Sequence, residues 1–199
     1  NLNLQQKDNV DGRIQMKIAF FEDEYFENFL PLTYTRPTYD LRCGTSKLYE
    51  KIISLFPNTE YVFFTRDYLA PIYAAKNVPT NKLESLDDDV LLINGSLLTS
   101  SNLKSAIDSS VGKNTLVFQK ERLAFAYLKS DLVKEVGELF LKPINNKSIK
   151  QLKSKAESKE VSDLKLLEYP WELVNNNGEK IKEEFSSIAK GESQGEIDS

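Results

Sequence analysis

Short apolar runs alternate with segments of helical spacing along this chain, and no other feature constrains its fold as much. Strands are predicted at 17–21, 61–64, 90–95, 115–119 and 123–128. Helices are predicted at 46–56, from a turn at 65–67 through about 75, at 100–108 and from about 131. Strands that alternate with helices favour an α/β fold, with a Rossmann-like, mainly parallel sheet and helices on both of its faces.

The length of 199 residues, 40% of them hydrophobic, favours one domain with one sizeable core. We assign that domain to residues 16–190. Residues 1–15 are polar and lack an apolar period, so we expect them to be disordered or vector-derived. Residues 191–199 are polar again and are typical of a linker.

Composition excludes several classes of site. The chain has no histidine, which removes histidine triads, histidine bases and histidine metal sites. Cys43 is its single cysteine, so we expect no intrachain disulfide and an inert thiol. A net charge of -4 gives no basic footprint for nucleic acid or an anionic membrane. Without a membrane span or a signal-peptide core, the predicted location is the cytoplasm.

The loop at 31–44 is the strongest candidate for ligand binding. It follows the first predicted strand and holds Arg36, Arg42 and Thr35, together with two prolines. Proline restricts the residue before it to extended backbone, so Arg36 should project from a stiffened segment. Two arginines among hydroxyl side chains indicate phosphate binding.

Other polar residues follow neighbouring strands. Ligands of open α/β sheets bind beyond the carboxyl ends of the strands, where Arg66, Asn94, Gly95 and Ser96 should lie with the loop. We expect Asp40, with Asp23 and Asp67 as further options, to provide a metal ligand. Backbone N–H groups at 44–46, before a predicted helix, should suit a phosphate.

Structural interpretations stand beside these. Arg36, Asp40 and Arg42 are equally compatible with an ion-pair network that only fixes the loop. The lysine-rich segment 142–160 predicts a solvated helix or a mobile loop. In 169–190, Pro170 and Trp171 predict a turn, and the spacing of Ile181, Phe185 and Ile188 predicts a helix face.

The loop resembles the opening motif of sugar-1-phosphate nucleotidyltransferases, LxxGxGTRLxPLTxxxPKxL. Its second half is matched in order and spacing by Leu30, Pro31, Leu32, Thr33, Pro37 and Leu41. The glycine-rich first half is absent, because Glu24, Phe26, Glu27 and Asn28 stand there. Thr38 replaces the family's lysine, and Ser96 stands where a glycine-aspartate pair supplies a magnesium ligand.

Three separated motifs are similar to a divergent GlmU-like branch of that family. They are TRPxxDLRxG at 35–44, LINGS at 92–96 and YPWELV at 169–174. The similarity covers about residues 16–185. In that branch a left-handed β-helix acyltransferase domain usually follows, which implies a homotrimer for the full-length protein.

The resemblance implies a nucleotide-diphospho-sugar transferase fold and the reaction of a nucleoside triphosphate with a sugar 1-phosphate, assisted by Mg²⁺. It assigns Arg36 and Arg42 to the phosphates, Asp40 to the metal, and Thr35, Arg66, Asn94, Gly95 and Ser96 to substrate binding. The missing glycine loop and metal carboxylate leave a second hypothesis open, a catalytically silent nucleotide-sugar-binding or scaffold domain of a β-helix acyltransferase.

Overall fold

The computed structural model describes residues 16–188, so the predictions for 1–15 and 191–199 lie outside the described residues. In chain order the strands are β1 (Met16–Phe21), β2 (Arg42–Cys43), β3 (Ser46–Lys47), β4 (Tyr61–Phe63), β5 (Asp89–Asn94), β6 (Leu97–Leu98), β7 (Thr115–Gln119), β8 (Arg122–Leu128), β9 (Glu157–Glu160) and β10 (Lys165–Leu166). The α-helices are α1 (Leu48–Leu55), α2 (Ala70–Ala74), α3 (Leu103–Asp108), α4 (Ser130–Val136), α5 (Asn146–Lys153) and α6 (Pro170–Ile188).

One six-stranded sheet organises the fold, in the order β4-β1-β5-β8-β7-β9. β1 pairs in parallel with β4 and β5, and β7 pairs in parallel with β9. β8 alone runs the other way, antiparallel to both β5 and β7. The predicted α/β fold with a mainly parallel sheet is confirmed.

Strand β1 is central because both of its faces are covered. Ile18 and Phe20 lie in the core on one side of the sheet, whereas Ala19 and Phe21 lie in the core on the other. Successive side chains of a strand point to opposite faces, so a strand buried on both sides reads as an unbroken apolar run. The prediction from 17–21 rested on this feature.

The segment from β1 to α1, which includes the loop at 31–44 (the ligand loop), contains more regular structure than predicted. Short 3-10 segments occupy Glu24–Phe29, Leu32–Tyr34 and Thr38–Asp40, and a two-stranded hairpin, β2 and β3, follows. Helix α1 consequently begins at Leu48, after Ser46–Lys47 has paired with Arg42–Cys43. The predicted start at residue 46 was wrong because hairpin pairing took those two residues.

The lysine-rich segment is neither a solvated helix throughout nor a mobile loop. Asn145 caps α5 by accepting the backbone N–H groups of Lys147 and Ser148. β9 then extends the sheet at its edge, with all four of its residues exposed. Charged side chains on an exposed edge strand hinder pairing with another sheet.

Helix α6 closes the described chain, and Pro170 and Trp171 form its first turn instead of a separate turn before it. Its inner side covers a small apolar cluster that includes Cys43, Leu48 and Leu173. Among residues 16–188, no helix combines the length and apolar content that crossing a membrane requires.

Candidate functional site

Polar residues from four strands meet at one edge of the sheet, which we call the strand-end cluster: Glu22, Asp23, Arg66, Asn94, Ser96 and Arg122. Glu22 and Asp23 follow β1, Asn94 ends β5, and Arg66 lies shortly after β4. Arg122 begins β8, which runs antiparallel to β5, so it also lies beside the carboxyl ends of the parallel strands. The predicted convergence of Arg66 with Asn94 and Ser96 at this edge is therefore present in the structure.

The first half of the cluster is a buried ion pair between Glu22 and Arg66. Arg66 Nε donates to Glu22 Oε2 at 3.0 Å, and both side chains are almost completely buried. Thr38 donates both its backbone N–H and its hydroxyl to Glu22 Oε1, at 2.8 and 2.9 Å. Burial raises the pKa of Glu22, and the charge of Arg66 and the hydrogen bonds of Thr38 oppose that rise.

Arg66 also fixes the ligand loop. Its Nη2 donates to the carbonyl of Arg36 at 2.9 Å, and its Nη1 donates to Tyr68 Oη at 2.6 Å. Its guanidinium stacks on Phe26, 4.3 Å from the ring centre. The guanidinium of Arg66 is thus occupied by contacts inside the protein, and its charge is neutralised by Glu22. The predicted role of Arg66 in substrate binding stays a prediction.

The second half of the cluster is a buried pair between Asp23 and Arg122. Arg122 Nε and Nη2 donate to Asp23 Oδ2 at 3.0 and 2.9 Å, and Asn94 Nδ2 donates to the same oxygen at 2.9 Å. Ser96 Oγ accepts from Arg122 Nη2 at 2.9 Å and donates to Asn94 Oδ1 at 2.9 Å. Asn94 and Ser96 therefore belong to a satisfied internal network.

Gly95 lies where a side chain would not fit. A Cβ at this position would come within 3.0 Å of the Tyr39 ring and of the Tyr39 backbone nitrogen. The Gly95 N–H donates to the Phe21 carbonyl at 2.8 Å, which ties the end of β5 to the end of β1. Gly95 thus allows the close backbone approach on which the cluster depends.

Asp40 is held by two donors. Lys47 Nζ donates to Oδ1 at 2.6 Å, and Tyr73 Oη donates to Oδ2 at 2.6 Å. Burial and this contact raise the pKa of Tyr73 well above its ordinary value. The predicted alternative of an ion-pair network between Asp40 and the two loop arginines is not formed, because Lys47 takes that place.

This arrangement does not fit a magnesium ligand. Both Asp40 oxygens face donors, one of them cationic, and the Asp23 carboxylate is similarly taken by Arg122. Within residues 16–188, no three acidic or cysteine side chains group closely enough to hold a metal ion. The donor set that Mg²⁺ prefers, carboxylates alongside water and phosphate, is thus not available in the described part of the loop.

Arg36 and Arg42 remain as available cations. Both side chains are exposed, and no carboxylate among residues 16–188 lies within ion-pair distance of either guanidinium. Arg42 Nη1 donates to the Thr45 carbonyl within the hairpin, whereas Arg36 offers only its backbone carbonyl, to Arg66. Thr35, between the two prolines, is exposed beside Arg36.

Side chains of α6 take two of the backbone N–H groups predicted for a phosphate, and Gly44 N–H donates to Asn177 Oδ1 at 2.7 Å. Thr45 N–H and Oγ1 donate to Glu184 Oε2 at 2.6 and 2.7 Å, and Ser46 Oγ and Lys51 Nζ donate to Oε1. Burial raises the pKa of Glu184, but the hydrogen bonds of Lys51, Ser46 and Thr45 outweigh it and lower the pKa to about 2. Gly44 precedes this site with φ of +82°, a conformation that favours glycine.

Sequence reasoning missed Glu22, Arg122 and Glu184 as organisers of this edge. Glu22 directly follows a buried strand, a signal that was present in the pattern. Arg122 lies between the predicted strands 115–119 and 123–128, and its partner Asp23 lies 99 residues away. Glu184 reaches the hairpin from a distance of 139 residues, which no local pattern indicates.

One solved structure shares this overall fold with a TM-score above 0.5. A search of curated proteins found no match. A Bacillus anthracis protein described as a candidate glucose-1-phosphate thymidylyltransferase, solved with sucrose, superposes with a TM-score of 0.53 at 12% identity, over 83% of this chain and 95% of that one. The CTP:phosphocholine cytidylyltransferase of Streptococcus pneumoniae gives 0.48 at 10% identity, over 83% and 99% of the two chains.

The sequence match is the stronger finding, since structural similarity at such identities shows only the fold. A family model described as sugar nucleotidyl transferase matches residues 18–193. That range begins in β1 and includes the strand-end cluster, the ligand loop and α6. Because the match spans most of the chain, this protein belongs to the sugar nucleotidyl transferase family.

Proposed function

We propose that this domain transfers a nucleotidyl group from a nucleoside triphosphate to a sugar 1-phosphate. A phosphate oxygen of the sugar attacks the α-phosphorus, the bond between the α- and β-phosphates breaks, and pyrophosphate leaves with its electron pair. The observation that carries the proposal is the family match over 18–193, which includes the loop that follows β1.

Arg36 and Arg42 are the residues to which we assign the phosphates. They are exposed and without carboxylate partners in the described chain, whereas Arg66 and Arg122 are neutralised by Glu22 and Asp23. Phosphoryl chemistry depends mainly on positioning and on neutralising the charge of the transferred group. Glu22 and Arg66 hold the loop in place through Thr38 and the Arg36 carbonyl. A guanidinium on this loop therefore supplies both the positioning and the positive charge.

Magnesium is the cofactor that the family resemblance implies, and the contacts of Asp40 do not fit it. When bound with a triphosphate in this chemistry, magnesium neutralises phosphate charge and orients the phosphates. The assay described next measures whether turnover by this chain requires magnesium.

The GlmU-like branch and a following β-helix domain likewise remain proposals that rest on three sequence motifs.

Pyrophosphate release tests the proposed reaction. The purified chain is incubated with magnesium, UTP or dTTP, and the 1-phosphate of glucose, glucosamine or N-acetylglucosamine. We expect release that requires both substrates, and parallel reactions with EDTA measure the need for a metal. Release that proceeds without the sugar phosphate would mean triphosphate hydrolysis and would contradict nucleotidyl transfer.

Arg36→Ala tests the site within the same assay. Loss of one group that stabilises transition-state charge costs on the order of 10²-fold in turnover. Lys129→Ala is the matched control, because it also removes one exposed cation but follows β8 at the opposite edge of the sheet. Equal activity of the two variants would remove Arg36 from the site.

A second function is favoured by one specific observation, the pairing of carboxylates with arginines throughout the strand-end cluster. With Glu22 and Asp23 neutralising Arg66 and Arg122, the cluster offers no free cation to a transferred phosphate. This feature suits a catalytically silent nucleotide-sugar-binding or scaffold domain. A nucleotide sugar that stabilises the chain without turnover supports that function, and at ~100 times its dissociation constant it should add roughly 2.7 kcal/mol.

A further inference from the structure

Most of the large apolar side chains described on helix α6 lie on the side that faces away from the domain. The inner side presents Asn176, Lys180 and Glu184, with Leu173 as its buried apolar residue. The outer side exposes Trp171, Val174, Ile181 and Phe185, at 57%, 74%, 40% and 65% of their surface. A surface helix normally shows the reverse distribution.

The exposed residues form one continuous line, which we call the outer stripe: Trp171, Val174, Gly178, Ile181 and Phe185. Their successive separations are three, four, three and four positions, the spacing at which helical residues contact a partner helix. The stripe runs about 21 Å along the helix at ~1.5 Å per residue. Contiguous apolar surface rimmed by polar residues marks an interaction site.

Gly178 makes a notch in the middle of the stripe. A Cβ built there meets no atom within 4 Å, so nothing among residues 16–188 requires glycine at that position. Glycine inside a helix is less favourable than alanine. A partner side chain that packs closely against the helix at the notch would explain why glycine is present there.

We propose that the outer stripe is a two-fold interface with a second copy of this chain, in which the two α6 helices pack antiparallel. In that arrangement Ile181 of each copy enters the notch at Gly178 of the other, and Val174 of each copy packs against Phe185 of the other. A parallel pairing would set Gly178 against Gly178 and leave a gap. The stripe is therefore complementary to itself only when the helices run in opposite directions.

The flanking charges agree with this pairing. Lys182 comes opposite the uncharged Asn175 of the second copy, so like charges do not face each other. Residues 189–199, which follow the helix, contain one large apolar side chain, Ile197, and so cannot supply a matching stripe. One helix pair buries less than the ~1,600 Å² of a standard interface, so we expect a weak dimer.

Sedimentation velocity over a wide concentration range tests the proposal on the 199-residue chain. We expect the mass to rise from that of a 22.7 kDa monomer toward twice that value as concentration increases. Ile181→Asp should weaken dimerisation by at least about tenfold, because it places a charge in a buried notch. Glu179→Gln is the matched control, since it changes a charge on the same helix outside the stripe and should have no effect.

Gly178→Leu distinguishes a specific notch from an apolar surface that is merely adhesive. Leucine has open space in the monomer and adds apolar surface, yet it fills the notch that Ile181 of the second copy needs. We expect this variant to dimerise at least about tenfold more weakly. A monomer at every concentration, equal weakening by Ile181→Asp and Glu179→Gln, or stronger association of Gly178→Leu would each overturn the proposal.

Discussion

The strand-end cluster and helix α6 both bury charged side chains, but they do so in different ways. In the cluster each carboxylate meets an arginine from another strand, and Asp23 and Arg122 are 9% and 6% exposed. On α6 the carboxylate of Glu184, at 18% exposure, meets a lysine and two hydroxyls. The cluster is a closed structural element, whereas α6 combines a polar inner side with an apolar outer side that is open to a partner.

The largest expected effect is that of breaking the cluster with Arg122→Met. This change leaves the Asp23 carboxylate buried without its cation, which costs about 3–5 kcal/mol of unfolding free energy. Urea denaturation measures the loss. Lys129→Met, which removes an exposed cation, is the control and should change stability by less than about 0.5 kcal/mol. A loss below about 1 kcal/mol for Arg122→Met would mean that water reaches Asp23.

Glu184→Gln tests the more exposed pair and should cost up to about 3 kcal/mol near neutral pH, from a pKa lowered to about 2 from 4.5. A lowered folded-state pKa stabilises the protein above the unfolded pKa. The contribution is therefore complete above about pH 5 and is lost as pH falls toward 2. Unfolding curves at several pH values should show the wild type and the variant converging in acid, whereas Glu179→Gln should follow the wild type.

Tyr73→Phe tests the contact to Asp40, which lies between the two regions. Loss of a hydrogen bond to a charged group costs about 1.5–3 kcal/mol, and Lys47 still neutralises the carboxylate, so we expect the lower end of that range. Tyr39→Phe is the matched control, because its hydroxyl faces the neutral Phe64 carbonyl at 3.4 Å. Equal losses in the two variants would show that the charge of Asp40 adds nothing.

The smallest effect on folding is expected from Val174→Asp on the outer stripe. The side chain is 74% exposed, so at concentrations where the chain is monomeric the unfolding free energy should change by less than about 0.5 kcal/mol. A larger loss would mean that the stripe packs against this chain itself. Denaturation at low and high protein concentration separates the folding effect from the effect on association.

The sequence predicted the central strands well, because a strand that is buried on both faces consists of consecutive apolar residues. β1, β4 and β5 appear as unbroken apolar runs, and the structure places each of them within one or two residues of the predicted bounds. The two-residue strands β2 and β3 were missed, since they are too short to produce a pattern. β9 was missed for another reason, because its four exposed polar residues do not read as a strand.

The sequence predicted where the candidate site lies in the fold, but it did not predict which of its charged side chains are free to bind a ligand. The loop after β1 and the ends of β4 and β5 do converge, as parallel strands require. Which charges remain available was not predictable, because Arg66 and Arg122 differ from Arg36 and Arg42 only in having a carboxylate within reach. The roles assigned to Arg36, Arg42, Thr35 and Asp40 stay predictions until they are tested in the assay.

The sequence by itself determined the buried strands and the helical spacing, because both are set by residues two to four positions apart. Only the tertiary structure decided that Asp23 pairs with Arg122 across 99 positions and Glu22 with Arg66 across 44. It also decided that Ile181 and Phe185 face outward, since Lys51 and the hairpin hydroxyls bind Glu184 on the opposite side of α6. Periodicity identifies an apolar helix face, but the partners supplied by distant segments determine the direction in which that face points.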